Sequence, residues 1–167
     1  VRGHLGAAPD FQLRSARFLE NHDEPRAAAT FPPERHPAAA VVTFLVPGLR
    51  FFHEGQLEGR RVHASMHLGR RPGEPPDEGL RAFYLRLLQV LARPEAHQGR
   101  WRLRDCRPAW DGNPTWESFV VMSWEGPGNL LACVNHGPTQ GQCRAEAGFP
   151  GLERGQVVLA DLRSGEH

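Results

Sequence analysis

The sequence predicts an α/β fold followed by an antiparallel β-domain. In the first part, short apolar runs of strand type alternate with helical runs, with about thirty residues between strand starts, the signature of βαβ units in a parallel sheet. Within it, Leu80, Phe83, Tyr84, Leu87, Leu88 and Leu91 recur at the three- and four-residue spacing that lines one face of an α-helix. Beyond Pro94 the pattern changes to short strands separated by Gly- and Pro-rich turns. Of the 167 residues, 40% are hydrophobic and 23% charged, an ordinary globular composition that excludes a disordered or fibrous chain.

Taken in order, residues 15 to 20 (Ser-Ala-Arg-Phe-Leu-Glu) read as a strand that runs into a polar cluster. Ala38 to Val46 is apolar all round, opened by Pro37 and stopped by Pro47-Gly48, which predicts a buried helix. Leu49 to His53 predicts a second strand, followed by a loop of about twenty-four residues, a length that is often functional. The helix over 78–92 follows and is closed by Pro94. The alternation of Arg100-Trp101-Arg102-Leu103-Arg104 fits a strand with one arginine face. Ser118 to Trp124, Asn129 to Asn135, Gln142 to Ala147 and Gln156 to Leu162 predict an antiparallel meander. A boundary near residues 94 to 100 divides the chain into domains 1–95 and 96–167.

Several function classes drop out on composition. No apolar run approaches the roughly 20 residues that span a bilayer, so no membrane partner is expected. A formal net charge of +1, with arginines and glutamates interspersed, lacks the footprint of a nucleic-acid binder. All 20 basic residues are arginine, and there is no lysine or isoleucine, a skew that reads as codon bias rather than physics. Cys106, Cys133 and Cys143 are odd in number and lack a C-x-x-C pair, which argues against a disulfide framework and a zinc knuckle and predicts reduced, incidental thiols. His63 and His67 have chelating spacing, but their surroundings are poor helix and no third ligand is suitably spaced. Neither metal nor cofactor is expected. No signal peptide follows Val1, so the expected location is cytoplasmic.

The chemistry concentrates in two segments. Phe18-Leu19-Glu20-Asn21-His22-Asp23 places a histidine and a carboxylate side by side where a parallel strand ends, the end at which α/β sheets and barrels bind ligands. This segment resembles the fourth conserved region of glycoside hydrolase family 13, the α-amylase family, which reads F-x-x-N-H-D at the end of the seventh barrel strand. Phe18, Asn21, His22 and Asp23 match all four defined positions. Gly48-Leu49-Arg50-Phe51-Phe52-His53-Glu54-Gly55-Gln56 is similar to the eighth-strand stretch, G-x-P-x-x-x-x-G-Q-E, matching at Gly48, Gly55 and Gln56. Arg50 stands where proline is common and Leu57 where glutamate is common, with Glu58 one place later, which points to a less typical subfamily.

The resemblance implies the last strands and helices of a TIM (β/α)8 barrel followed by the family's C-terminal β-domain. It implies α-glucosidic bond cleavage with retention, by a nucleophile and an acid roughly 5 Å apart. Asp23 would be a third carboxylate that binds the hydroxyls of the distorted sugar, with His22 and Asn21 beside it. The nucleophile and acid lie on the family's fourth and fifth strands, outside this segment, so the chain alone is expected to be inactive and to need the remainder of its own barrel. The expected partner is an α-glucan or oligosaccharide. Arg26 has two readings, a substrate contact or the ion-pair partner of a neighbouring carboxylate. His53 and Glu54 either line the pocket or pack the barrel mouth. Trp110 and Trp116, near Gly and Pro, are surface candidates for stacking on sugars, whereas Trp124 reads as core. The alternatives to an enzyme are a non-catalytic carbohydrate-binding or interaction fragment and a half-barrel completed by self-association.

Overall fold

The computed structural model describes residues 1–152 and 159–162. The chain divides into two compact units, Ala8–Leu88 and a second made of Val1–Ala7 with the described residues from Gln89 onward. The first helix, α1 (Arg2–Leu5), therefore belongs with the later residues. Its Arg2 guanidinium donates to the Phe119 carbonyl at 2.6 Å and lies 5.1 Å from the centre of the Trp116 ring.

The Ala8–Leu88 unit holds α2 (Pro9–Arg14), β1 (Ala16–Arg17), α3 (Ala27–Thr30), α4 (His36–Phe44), β2 (Leu49–Arg50) and most of α5 (Glu78–Leu91). Strands β1 and β2 pair in parallel, Ala16 opposite Leu49 and Arg17 opposite Arg50, with the Leu49 N–H on the Ser15 carbonyl and the Phe51 N–H on the Arg17 carbonyl. Entry into β2 depends on Gly48, whose φ is +127° and whose place leaves no room for a side chain: a Cβ there would sit 2.3 Å from the Ser15 carbonyl. The core is aromatic. Phe44 stacks on Phe52 at 4.1 Å, and Tyr84, fully buried, meets the edges of Phe52 and His36.

Helix α5 forms where the periodic stripe predicts it, with the Asp77 carboxylate accepting the Leu80 N–H at its start. Tyr84, Leu87 and Leu91 are buried along that stripe, and Leu80, Phe83 and Leu88 are half-buried. Helix α4 is enclosed on all sides, as its all-round apolar sequence predicts: His36, Ala40 and Phe44 are buried, the residues between them are half-buried, and Leu45 and Val46 beyond its end are buried too.

In the second unit, α6 (Glu95–Gln98) precedes β3 (Arg100–Arg104), β4 (Cys106–Pro108), a 3-10 turn (Thr115–Ser118), β5 (Phe119–Glu125), β6 (Asn129–Asn135) and β7 (Cys143–Ala145). The order β3-β5-β6 makes one antiparallel sheet. Its central strand buries Val120 to Trp124 without a break, and β6 alternates, burying Leu130, Ala132 and Val134. The arginine face of β3 lands on β5, where Glu125 pairs with Arg102 at 3.2 Å and Arg104 at 2.7 Å.

The simple meander is corrected: β7 pairs with β4 and not with its sequence neighbour β6. The short β4 went unforeseen because Pro108 can close a ladder only at its end, so the sequence around it reads as loop. Of the strand expected over 156–162, residues 156–158 lie outside the described residues, and 159–162 have no strand pairing. The two strands of the first unit are two residues each, shorter than the runs that announce them. Among the described residues they form a two-stranded parallel sheet rather than a closed barrel. No described helix is long and apolar enough to cross a membrane.

Candidate functional site

The chain leaving β1 makes a tight loop, and its two ends are clamped. Glu20, fully buried, accepts the Ala27 N–H at the start of α3 at 2.5 Å and lies 3.1 Å from the Arg26 guanidinium. The second contact is a charge contact, since Glu20 Oε1 has no aligned hydrogen-bond donor. Residues 21–25 are thus held between two buried, oppositely charged groups. Within the loop, the Asn21 side-chain oxygen accepts the Asp23 and Glu24 N–H groups at 2.8 and 2.9 Å, a local turn that competes with any continuation of the strand.

Clamp and turn together push His22 and Asp23 outward. Their side chains are 53% and 77% exposed, with His22 Nε2 at 3.3 Å from Asp23 Oδ2. The Asp23 carboxylate therefore keeps lone pairs open to an incoming hydroxyl, and the imidazole beside it fixes its direction. The His22 carbonyl accepts a hydrogen bond from His63 Nε2 at 2.9 Å, which ties the long loop after β2 to this one.

Arg26 is buried instead of facing solvent. Its guanidinium donates to His53 Nδ1 at 2.8 Å, to the Glu54 carbonyl at 2.8 Å and, more distantly, to the Arg60 carbonyl. Of its two readings the structure shows the ion pair, but with Glu20 rather than with Asp23. A guanidinium only donates, so His53 Nδ1 is the acceptor and the imidazole proton sits on Nε2. Gly55, at φ +82°, lies so close that a Cβ would reach 2.7 Å from the Arg26 guanidinium. His53 is half-buried against this cluster, whereas the Glu54 side chain is 70% exposed and pairs with Arg71. The six candidates thus separate into the loop residues Asn21, His22 and Asp23, the supporting pair Arg26 and His53, and Glu54, which joins that pair by its backbone carbonyl while its side chain is exposed.

Behind the supporting group runs a buried polar chain that motif reading did not single out as functional. Gln56 Nε2 donates to the Tyr84 hydroxyl at 3.0 Å, and the same hydroxyl lies 2.7 Å from His36 Nε2. The tyrosine accepts from the amide, so its own proton goes to His36, whose other nitrogen then carries the imidazole hydrogen. Burial lowers the His36 pKa, opposed by the Asp77 charge, and burial raises that of Tyr84, so both rest uncharged. Gln56 Oε1 lies 3.3 Å from the His53 N–H, linking this chain to the end of β2.

The loop after β2 folds back on itself through Glu74, which takes the Arg61 N–H at 2.9 Å and the Val62 N–H at 3.2 Å. The Arg61 N–H foremost holds the Glu74 carboxyl below its ordinary range against the cost of burial, with lesser help from the Val62 N–H and the charges of Arg60 and Arg26. His63 and His67 lie in non-helical chain, so their spacing has no chelating geometry, and no described group of three or more ligating residues could hold a metal. In the second unit, Trp110 is 56% exposed and Trp124 is core, while the half-buried Trp116 has a ring face under Arg2.

Glu20 is the residue that sequence reading missed. It occupies an undefined position of the F-x-x-N-H-D segment, and a buried acid immediately before a polar loop has no local pattern. An arginine six places later was the available signal.

No family model matches the sequence, and the search of curated proteins finds no match. Among solved structures, the chain is similar in fold to a noncanonic maltogenic alpha-amylase from Thermotoga neapolitana, with a TM-score of 0.55 and 18% identity. The similarity covers 74% of this chain and 28% of that one. It supports a mixed α/β chain with antiparallel sheets resembling the C-terminal region of an amylase.

Proposed function

We propose that the chain is the C-terminal part of an α-amylase-like retaining glycosidase or transglycosylase acting on α-linked glucans or α-glucosides, with Asp23 as a transition-state-binding carboxylate. The observation that carries this reading is the outward display of Asp23 and His22 by a loop clamped through Glu20 and Arg26, next to the end of a parallel strand pair. The likeness of fold to a maltogenic alpha-amylase supports the same class and an α-glucan substrate. The chain spans 28% of that protein, so the whole reaction belongs to the proposal.

On this reading the sugar ring flattens as its glycosidic bond breaks, and its hydroxyls move. Acceptors set for the flattened ring bind it more tightly than the relaxed one, which lowers the barrier. Asp23 would accept those hydroxyl protons while His22 and the Asn21 turn hold it in place. The attacking carboxylate and the proton donor come from outside these 167 residues. Arg26, His53 and Glu20 act through the loop and are positioning residues.

In the full-length protein, Asp23→Asn should lower kcat on maltooligosaccharides by about 10²–10³-fold with an unchanged circular dichroism spectrum. Near-normal turnover would remove the role given to Asp23. A second reading, a non-catalytic glucan-binding fragment, is favoured by the exposed Trp110 ring. It requires glucan binding with no turnover in the full-length protein.

A further inference from the structure

The Ala8–Leu88 unit holds a cavity of about 270 Å³ between α3, the start of α4 and the start of α5. Its walls include the half-buried apolar side chains of Phe31, Pro37, Leu80 and Phe83. The volume lies just under the roughly 300–1,000 Å³ that takes a drug-sized ligand, so it suits a single ring.

Three polar side chains share the cavity with those walls: His36, Asp77 and Arg61. His36 is 2% exposed, and its Nε2 is taken by the Tyr84 hydroxyl at 2.7 Å. The one polar atom that the imidazole has left is Nδ1, which carries the ring hydrogen and meets no acceptor among the described residues. Asp77 uses Oδ1 to accept the Leu80 N–H at 2.9 Å, and its Oδ2 has no hydrogen-bond donor among the described residues. Arg61 is tied down by its backbone N–H on Glu74, while its exposed guanidinium has no ion pair among the described residues.

These groups narrow the chemistry of a guest. A purely apolar molecule would leave a buried N–H unpaired, an anion would face Asp77, and a cation would face Arg61. What suits all three is a neutral ring with an apolar C–H face for Phe31 and Phe83 and hydroxyls round its edge, since a hydroxyl both donates and accepts. The cavity is also joined to the 21–25 loop. Arg61 stands two residues before His63, whose imidazole holds the His22 carbonyl at 2.9 Å, and two residues reach at most about 7 Å.

We propose that this cavity is a carbohydrate-binding site that seats one pyranose ring of an α-glucan, with the ring hydroxyls on His36, Asp77 and Arg61. None of these polar groups belongs to the 21–25 loop. The choice of a glucosyl unit rests on the function proposed above, whereas the demand for a neutral polyhydroxy ring rests on the cavity alone. One ring with a few hydrogen bonds makes a weak site, with a Kd on the order of 1–10 mM.

The test is hydrogen-exchange mass spectrometry of the full-length protein with and without maltose at about 50 mM, enough to fill such a site. Slower exchange in peptides covering 27–37 and 77–84 is the expected result. Asp77→Asn keeps an oxygen to cap α5 but removes the charge, and Arg61→Gln removes the guanidinium from an exposed position. Each should raise the maltose concentration for half-protection by about three- to tenfold, with kcat on maltooligosaccharides unchanged. Unprotected cavity peptides, protection untouched by both substitutions, or equal protection by phenol would overturn the proposal. Protection by maltose in a protein that turns over no glucan would uphold the cavity site and count against the enzyme reading, and turnover without protection would do the reverse.

Discussion

A glutamate buried to 1% of its side-chain surface is costly unless something opposite is buried with it, and in this chain Arg26 is that partner. The pair does not act by attraction alone. Arg26 also holds His53 and the Glu54 carbonyl, so one guanidinium joins the loop after β1 to the end of β2. Removing it leaves Glu20 buried without its opposite charge. Arg26→Met should destabilise the protein by about 3–5 kcal/mol in urea unfolding, and Glu20→Gln with Arg26→Met should recover part of that. A loss under about 1 kcal/mol would mean that the clamp does not hold the loop. Asn21, His22 and Asp23 stand out in the sequence because they form a contiguous motif, and the turn they make is local. Glu20 and Arg26 act together across the loop, and their partnership has no linear signature.

Between elements, the decisive contact is the hydrogen-bonded chain from His36 on α4 through Tyr84 on α5 to Gln56. Periodicity places Tyr84 on the buried stripe of α5, but it cannot say that the hydroxyl needs two partners or which residues supply them. Because His36 is neutral inside the fold, its pKa lies below the unfolded value of about 6.5. Its stabilisation is therefore complete above pH 6.5 and is lost as pH falls from there toward the folded pKa, since the unfolded chain then binds the extra proton. Urea titrations at pH 7.5 and pH 5 should show wild type losing more stability across that interval than His36→Gln, which keeps an acceptor but does not titrate. Equal losses would mean that His36 is not held neutral. Helix α3 went unseen for a related reason: its first N–H is met by Glu20, seven residues upstream and beyond any local capping pattern.

At the scale of the whole molecule, each compact unit has its own core, and the division falls at Leu88, in the last turn of α5. No composition shift marks that point, and none signals that Val1–Ala7 pack with residues from the other end of the chain. The displayed carboxylate lies in the Ala8–Leu88 unit, and the proposed function gives it the part of a hydroxyl acceptor, with nucleophile and acid supplied from outside these residues. The isolated 167-residue chain should therefore hydrolyse no α-glucan at any pH, while the full-length protein should do so with retention of the anomeric configuration by NMR. Turnover by the isolated chain would sink the assignment of nucleophile and acid to residues outside it.

The amino-acid order alone determined what depends on local spacing: the α5 stripe, the β5–β6 hairpin, the parallel character of β1 and β2, and the exposed Asn21-His22-Asp23 loop. Each follows from a period of two or 3.6, a turn residue or a short motif, all read within a dozen positions. The tertiary structure decided which groups far apart in the chain share a buried space. It set Glu20 against Arg26 and His53, Tyr84 between Gln56 and His36, and β7 against β4. Those choices rest on desolvation, because a buried charge or hydroxyl must find its partner wherever the fold brings one, and sequence distance does not enter that requirement.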